Sequence, residues 1–301
     1  MICAFLKHVC ENQGRIKVSV AHKRFVLLAK FVDLLIEPAI AQDGIDLYEQ
    51  GGNIALTNML YHVLPAFGGS IYFDNLLRSF QDLIGRQGRE SYRGREAFNK
   101  FYDVLYSQSF GPDLDALFQR IRTDYEDFAQ HLAHMKGHLD IAMTSAYSLS
   151  VLWRKDITGP ITLIYDASIG MQRFQDIWSL ITAPDVLAVT VGYDRRTWNL
   201  CVGLQHTSAK ESSMWAGLQL ADILAGAVTR YILWFISGQD LSDEFGMALS
   251  ETFPPLASFP MHVVWPSTDV TPETLGATGP NALSPLDTMG VVIHSTSING
   301  G

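Results

Sequence analysis

The sequence predicts an α/β protein carrying a large helical block, and three observations point there. From about residue 40 to 155 nearly every segment has apolar residues spaced three and four apart, the mark of amphipathic helices. After residue 160 short β-rich apolar runs alternate with helical ones, the order expected of an α/β sheet. Beyond Gly238 the chain turns rich in Pro, Gly, Ser and Thr, which predicts an irregular extension over 239–301.

Taken in order, ICAFLKHVC suits a short helix and RIKVSVAH (15–22) alternates like a strand. KRFVLLAKFVDLLIEPAI reads as a helix ending near Pro38, because proline lacks the amide hydrogen that an interior helical position donates. NIALTNMLYHVL, YFDNLLRSFQDLIG, REAFNKFYDVLYS, LDALFQRIRTDYEDFAQHLAHM and LDIAMTSAYSLSVLW follow as helices separated by Gly and Pro breaks, and form an inserted bundle or cap. ITLIYDAS (161–168) is a strand ending at Asp166, and MQRFQDIWSLIT is an amphipathic helix. LAVTV and TWNLCVGLQH (197–206) are further strands, with HTSAKESS as a loop before the apolar helix GLQLADILAGAV (217–228). VVIHS would close the chain as a short edge strand.

Composition narrows the function classes. The chain has 301 residues, 48% hydrophobic and 18% charged, and a net charge of −9, which argues against a general nucleic-acid coat. A nuclease that handles phosphate with local basic groups and bound cations remains compatible with that charge. Cys3, Cys10 and Cys201 have no paired spacing, so a reducing compartment is expected, and with no convincing targeting signal the cytoplasm is the default. Residues 214–237 are long and apolar, but Asp222 and Arg230 would each cost roughly 2.5–3.5 kcal/mol near a bilayer centre. A buried helix of a domain off the membrane is the simpler reading.

Two carboxylates stand out. Asp166 closes an apolar strand, where the functional rim of an α/β sheet lies. Asp222 sits one and a half turns into a helix expected to be buried, and Gln219, three residues back, shares its face at about 60°. A buried carboxylate needs a partner. A shared divalent cation is one such partner, and neutralisation by an arginine or by capping bonds is the other.

GLQLADILAGAV, with the preceding strand and HTSAKESS, resembles the signature of the bacterial domain-of-unknown-function family 3800, and IYDAS resembles its mid-chain strand ending in Asp. The resemblance spans roughly residues 15–238 and is specific in 160–230. It implies a ribonuclease H-like mixed sheet with a large helical insertion. The core would then run over residues 1–238, and the insertion over about 40–155. It further implies a metal-dependent phosphodiesterase or nuclease using Mg²⁺ or Mn²⁺, with Asp166 and Asp222 as catalytic metal ligands. Gln219 would stand behind them. Ser168, His206 and Lys210 lie close to them in sequence, and His206 and Lys210 either orient a phosphate or a water or, more simply, are ordinary loop residues. The family's first strand carries Asp-Glu-Ser-Gly, and this sequence has no such motif, so the core is expected to be incomplete at its N-terminal end and a two-ion centre poorly held. A non-catalytic binding or regulatory protein retaining the fold is the alternative.

Three further stretches carry chemistry. GRQGRESYRGREAFNK (85–100) is the most basic, and Arg89, Arg93, Arg95 and Lys100 with interleaved aromatics would suit a phosphate backbone, against a plain solvated loop. His131, His134 and His138 fall on one helix face and offer a zinc site or, more simply, a polar stripe. In DRRTW, Arg195 and Arg196 lie near the proposed rim in sequence. No Walker loop, dinucleotide fingerprint or nucleophile elbow is present.

Overall fold

The computed structural model describes residues 2–11, 16–48, 51–85, 92–133, 142–167, 171, 175–184, 190–191, 198–199, 202–253 and 261–267. They make a mixed α/β chain dominated by helices. The chain divides into two compact units. One holds residues 1–20, 140–189 and 199–263; the other holds 21–139, 190–198 and 264–301.

The helical unit starts with α2 (Lys23–Phe31), which passes through a π-helical turn (Val32–Ile36) into α3 (Glu37–Ala41). The helix therefore does not stop at Pro38. The Glu37 amide bonds back to the Val32 carbonyl, five residues away, and this widened turn comes just where a proline would otherwise collide with the carbonyl of Leu34. Next comes α4 (Gly52–Gly85), two helical stretches divided at Gly69, whose φ of 80° and ψ of 157° only glycine adopts without strain. The stretch read as one helix over 114–135 is two, α6 (Pro112–Arg120) and α7 (Tyr125–Ala133), preceded by α5 (Tyr92–Leu105). The break follows from Asp124, whose carboxylate accepts from the Asp127 amide at 2.9 Å and so opens a new helix.

An aromatic core holds these helices together. Phe31 meets Phe80, Phe101 and Phe118 with centroids 5.6–6.4 Å apart, in edge-on or tilted geometry. Tyrosines at its margin spend their hydroxyls on carbonyls of the surrounding backbone. Tyr72 donates to Leu105 O at 3.2 Å, Tyr102 to Ile121 O at 2.6 Å and Tyr106 to Phe118 O at 3.0 Å. These are carbonyls at or near the ends of α5 and α6, which no helical amide can reach. Burial raises the hydroxyl pKa of all three, so they remain donors at any physiological pH.

The other unit contains α1 (Ile2–Glu11), β1 (Val18–Ala21), α8 (Ala142–Asp156), β2 (Ile161–Asp166), α9 (Gln175–Thr182), β5 (Leu204–Lys210), α10 (Ala216–Ile236), α11 (Glu244–Thr252) and β6 (Met261–Val264). The short strands β3 (Thr190–Val191) and β4 (Trp198–Asn199) pair with each other, and β1 pairs with β6. β2 and β5 run parallel, in register from Thr162 opposite His206 to Asp166 opposite Lys210. Trp178 of α9 is buried and donates to Thr207 Oγ1 of β5 at 3.4 Å, while Tyr147 of α8 stands edge-on to it. A second core joins Leu6 of α1, Val228, Tyr231 and Trp234 of α10, and Leu249 and Phe253 at α11.

Two sequence expectations change here. HTSAK is strand, not loop, so His206 and Lys210 lie on β5. Gly203, at a φ of 56°, ends the preceding segment and restarts the chain as β5. The region after Gly238 is also more regular than its composition suggests, with α11 capped by the Asp243 carboxylate accepting from the Gly246 amide at 3.0 Å. The expected VVIHS strand lies outside the described residues, as does LAVTV apart from its last two residues, Thr190 and Val191, which form β3.

Arg154 of α8 fixes where the parallel strands begin. Its Nε donates to Val202 O at 2.6 Å and Nη2 to Gly203 O at 2.8 Å. Its Nη1 donates to Ile157 O at 3.1 Å and Gly159 O at 2.8 Å. Arg154→Met leaves four carbonyls without these donors and is expected to cost about 2–3 kcal/mol, read as a lowered urea midpoint. Arg154→Lys should recover only part, because an ammonium cannot span both loops. A midpoint equal to the parent's would remove the clamp from this account.

His22 opens α2 by accepting the Phe25 amide on Nδ1 at 3.3 Å, which requires a neutral ring. Burial, and next the Arg24 guanidinium, lowers its pKa. The unfolded chain therefore takes up the proton first. The stability that neutral His22 contributes is complete above its unfolded pKa of about 6.5, and it is lost as pH falls through the lower folded value. Urea midpoints measured downward from pH 7.5 should fall, and His22→Asn, which keeps a capping acceptor but no titration, should flatten the decline.

Candidate functional site

The C-terminal ends of β2 and β5 bring three of the sequence-predicted residues together. Register places Asp166 beside Lys210, and the ladder runs one bond further, with the Ala167 amide donating to Lys210 O at 3.0 Å. The chain then makes a 3-10 turn, Ser212–Met214, before α10. Asp166 Oδ1 accepts from the Ser212 amide at 3.1 Å. Gln219, one turn into α10, donates through Nε2 to both Ser212 O and Ser213 O at 3.0 Å. The backbone of Ser212 is thus held on both sides, by the carboxylate on its N–H and by the Gln219 amide on its C=O. One Asp166 oxygen is committed to this grip, and the side chain is exposed.

Lys210 stands over the Trp215 ring, 5.6 Å from its centroid, a cation–π contact that holds the ammonium near the rim. Asp222 follows Gln219 by three residues, is exposed, and makes no hydrogen bond or ion pair among the described residues.

The expectation that α10 is buried is overturned. Only Ala227, Val228, Tyr231 and Trp234 are buried, all in its second half. Leu220 and Ile223 in the first half stay 43% and 39% exposed, and Leu233 and Ile236 further on reach 51% and 55%. The reason is local. The packing elements α1 and α11 reach only the C-terminal turns of the helix, so Gln219 and Asp222 project from an open surface. By length and composition Ala216–Ile236 is the one described helix apolar enough to cross a membrane.

Other predicted residues are not brought to this rim. His206 pairs with Thr162 near the start of the strands, four residues from Lys210 and so about 13 Å away along β5. Ser168, Arg89, Arg195, Arg196, His134 and His138 lie outside the described residues. His131 and Arg93 are described only as backbone of α7 and α5. Arg95 is paired with Glu126 and stacks on Tyr125 at 4.9 Å, whereas Lys100 is exposed on the same helix. Both line a shallow surface groove with Glu96, Asn99 and Asp103, so acidic residues temper this basic face.

Sequence reasoning missed Ser212 and Trp215. The run S-S-M-W between a strand and a helix was the available signal, since serine carries no charge to draw attention and a tryptophan ahead of an apolar helix reads as more of its core.

Asp166 and Asp222 are the two exposed carboxylates that could serve as cation ligands here. Among the described residues no group of three or more His, Cys, Asp or Glu side chains gathers to form a ligand cage. Two exposed carboxylates match the way Mg²⁺ is commonly held, by one or two carboxylates with water and substrate phosphate completing the shell. Compared with protein-family models, with curated proteins and with solved structures, the chain has no match.

Proposed function

We propose that this chain is a ribonuclease H-like α/β protein whose β2–β5 rim acts on phosphodiesters with one Mg²⁺ or Mn²⁺. The observation that carries the reading is the register of Asp166 beside Lys210 at the ends of two parallel strands, with Gln219 and Asp222 supplied by the helix that follows. Carboxylate and ammonium side by side at strand ends offer a cation ligand and a phosphate contact within one small surface.

Asp166 and Asp222 hold the ion in this reading. A bound Mg²⁺ or Mn²⁺ supplies Lewis-acid polarisation of a phosphoryl oxygen. Lys210 neutralises a second phosphate oxygen, and its place over Trp215 keeps it from collapsing onto Asp166. Gln219 is a positioning residue, because by holding the Ser212 and Ser213 carbonyls it braces the turn whose first residue, Ser212, donates its amide to Asp166. Nucleic acid is the substrate class that follows, with the groove bearing Arg95 and Lys100 as a separate backbone contact.

A second reading is a phosphodiester-binding protein without turnover. It is favoured by the open setting of the rim and by the want of a third acidic ligand among the described residues.

Nuclease assays with Mg²⁺ or Mn²⁺ on single- and double-stranded DNA and RNA separate the two. Turnover should fall about 10²-fold or more in Asp222→Asn and in Asp166→Asn, the scale for losing one charge-stabilising group. Turnover unchanged in Asp222→Asn would sink the metal mechanism. Heat on Mn²⁺ titration that vanishes in Asp222→Asn, with no cleavage of any substrate, would establish the binding reading in its place.

A further inference from the structure

We propose that Trp215 is a stacking platform for a nucleobase, so that the β2–β5 rim takes single-stranded rather than duplex nucleic acid. The proposal rests on the rim being a phosphodiester site and adds which form of the substrate enters it.

Backbone bonds alone fix the position of Trp215. Its amide donates to Ser212 O at 3.2 Å, and its carbonyl accepts from the Leu218 and Gln219 amides at 3.0 and 3.2 Å. The ring is therefore not needed to hold the residue in place. Nor does it serve the core, where an indole contributes most by leaving water. Trp178 and Trp234 are buried, whereas Trp215 stays 39% exposed and Met214 before it 81%. This apolar surface adjoins the charged rim, because the Lys210 ammonium stands over the Trp215 ring at 5.6 Å from its centroid.

An ammonium and an exposed indole so close together match two parts of one nucleotide. Lys210 meets the phosphate, and the surface of the ring left in water meets a base one sugar away. Stacking of this kind tolerates any sequence, since every base has a π-face. Only an unpaired, unstacked base can offer that face to a side chain, because in a duplex its neighbours already cover it. Charge alone selects the other way, since a duplex presents the denser array of phosphates. Preference for a single strand is thus the mark of the ring and not of the lysine.

Fluorescence anisotropy tests this with labelled oligo(dT), the same sugar–phosphate chain without bases, and the oligo(dT)·oligo(dA) duplex. Ca²⁺ replaces Mg²⁺, so that binding is read without turnover. The parent protein should bind oligo(dT) at least about tenfold more tightly than either other ligand, tenfold being within the range for one stacked base. Trp215→Leu should bring oligo(dT) down to the abasic chain, and Trp215→Phe should keep most of the difference. If the ring served only to hold Lys210, Trp215→Leu would weaken both single chains equally. That result overturns the proposal, as does a duplex bound as tightly as the single strand. Lys210→Ala should weaken both single chains alike, through the lost phosphate contact. That loss, with no effect of the bases, sinks the platform and leaves the phosphodiester site standing. A base-dependent difference that Trp215→Leu removes, with Lys210→Ala and Asp166→Asn without effect, keeps the stacking contact and sinks the phosphodiester site. Binding of none of the three ligands overturns both.

Discussion

The β2–β5 rim depends on an arginine at its opposite end. Parallel strands cannot be joined by a tight turn, so the loops entering them need some other constraint to set their register. Arg154 supplies it by donating to carbonyls ahead of both strands, Ile157 and Gly159 before β2, Val202 and Gly203 before β5. Its charge meets four backbone dipoles in place of a carboxylate. Five residues beyond the start of β2 and six beyond that of β5, Asp166 and Lys210 come abreast. The neighbouring residues brace the same helix end, with Lys17 paired to Asp156 and lying over Trp153 at 5.5 Å. A slip of one residue would turn either side chain to the other face of the sheet, so the rim's composition and Arg154's grip are one constraint.

The helical unit solves a different problem. Short helices leave their last carbonyls unmet, and an aromatic core offers few polar groups to meet them. Tyrosine does both, giving its ring to the core and its hydroxyl to the backbone. Tyr102 stacks on Tyr106 and meets Phe98 tilted and Phe101 edge-on, while its hydroxyl reaches Ile121 O, just where α6 ends. Against that thrift Arg120 is an exception within the unit, its Nε and Nη1 buried and meeting no hydrogen-bond acceptor among the described residues.

Much of the fold was legible because it is written in local periodicity. α1, α5, α8, α9, β1 and β2 fall where the spacing of apolar residues places them, and the α/β character follows from their order. What escaped was set by contacts far along the chain. TSAK, the second half of β5, has too little apolar alternation to read as a strand, and becomes one because β2 and Trp178 of α9 receive it. The helix runs through Pro38 because a π turn absorbs it, a backbone option that no residue type advertises. At the rim, Asp166, Gln219 and Lys210 were legible from chemistry and spacing, whereas Ser212 takes part only through its peptide group, which every residue has.

The apolar helix shows how composition misleads about burial. A carboxylate inside GLQLADILAGAV poses a problem only if the helix is enclosed, since an unpaired charge in an apolar interior must be neutralised. In the structure the first half of α10 faces water, and Asp222 is simply solvated. The unusual residues are then Leu220 and Ile223, whose apolar surface stays in water at roughly 25 cal/mol per Å² forgone. Tyr231 and Trp234, two and three turns further on, recover such terms against Phe253 and Leu249. One helix therefore divides its work by length. Its C-terminal turns anchor it in the core, while its N-terminal turns stay exposed, with Gln219 bonded to the 3-10 turn that follows β5.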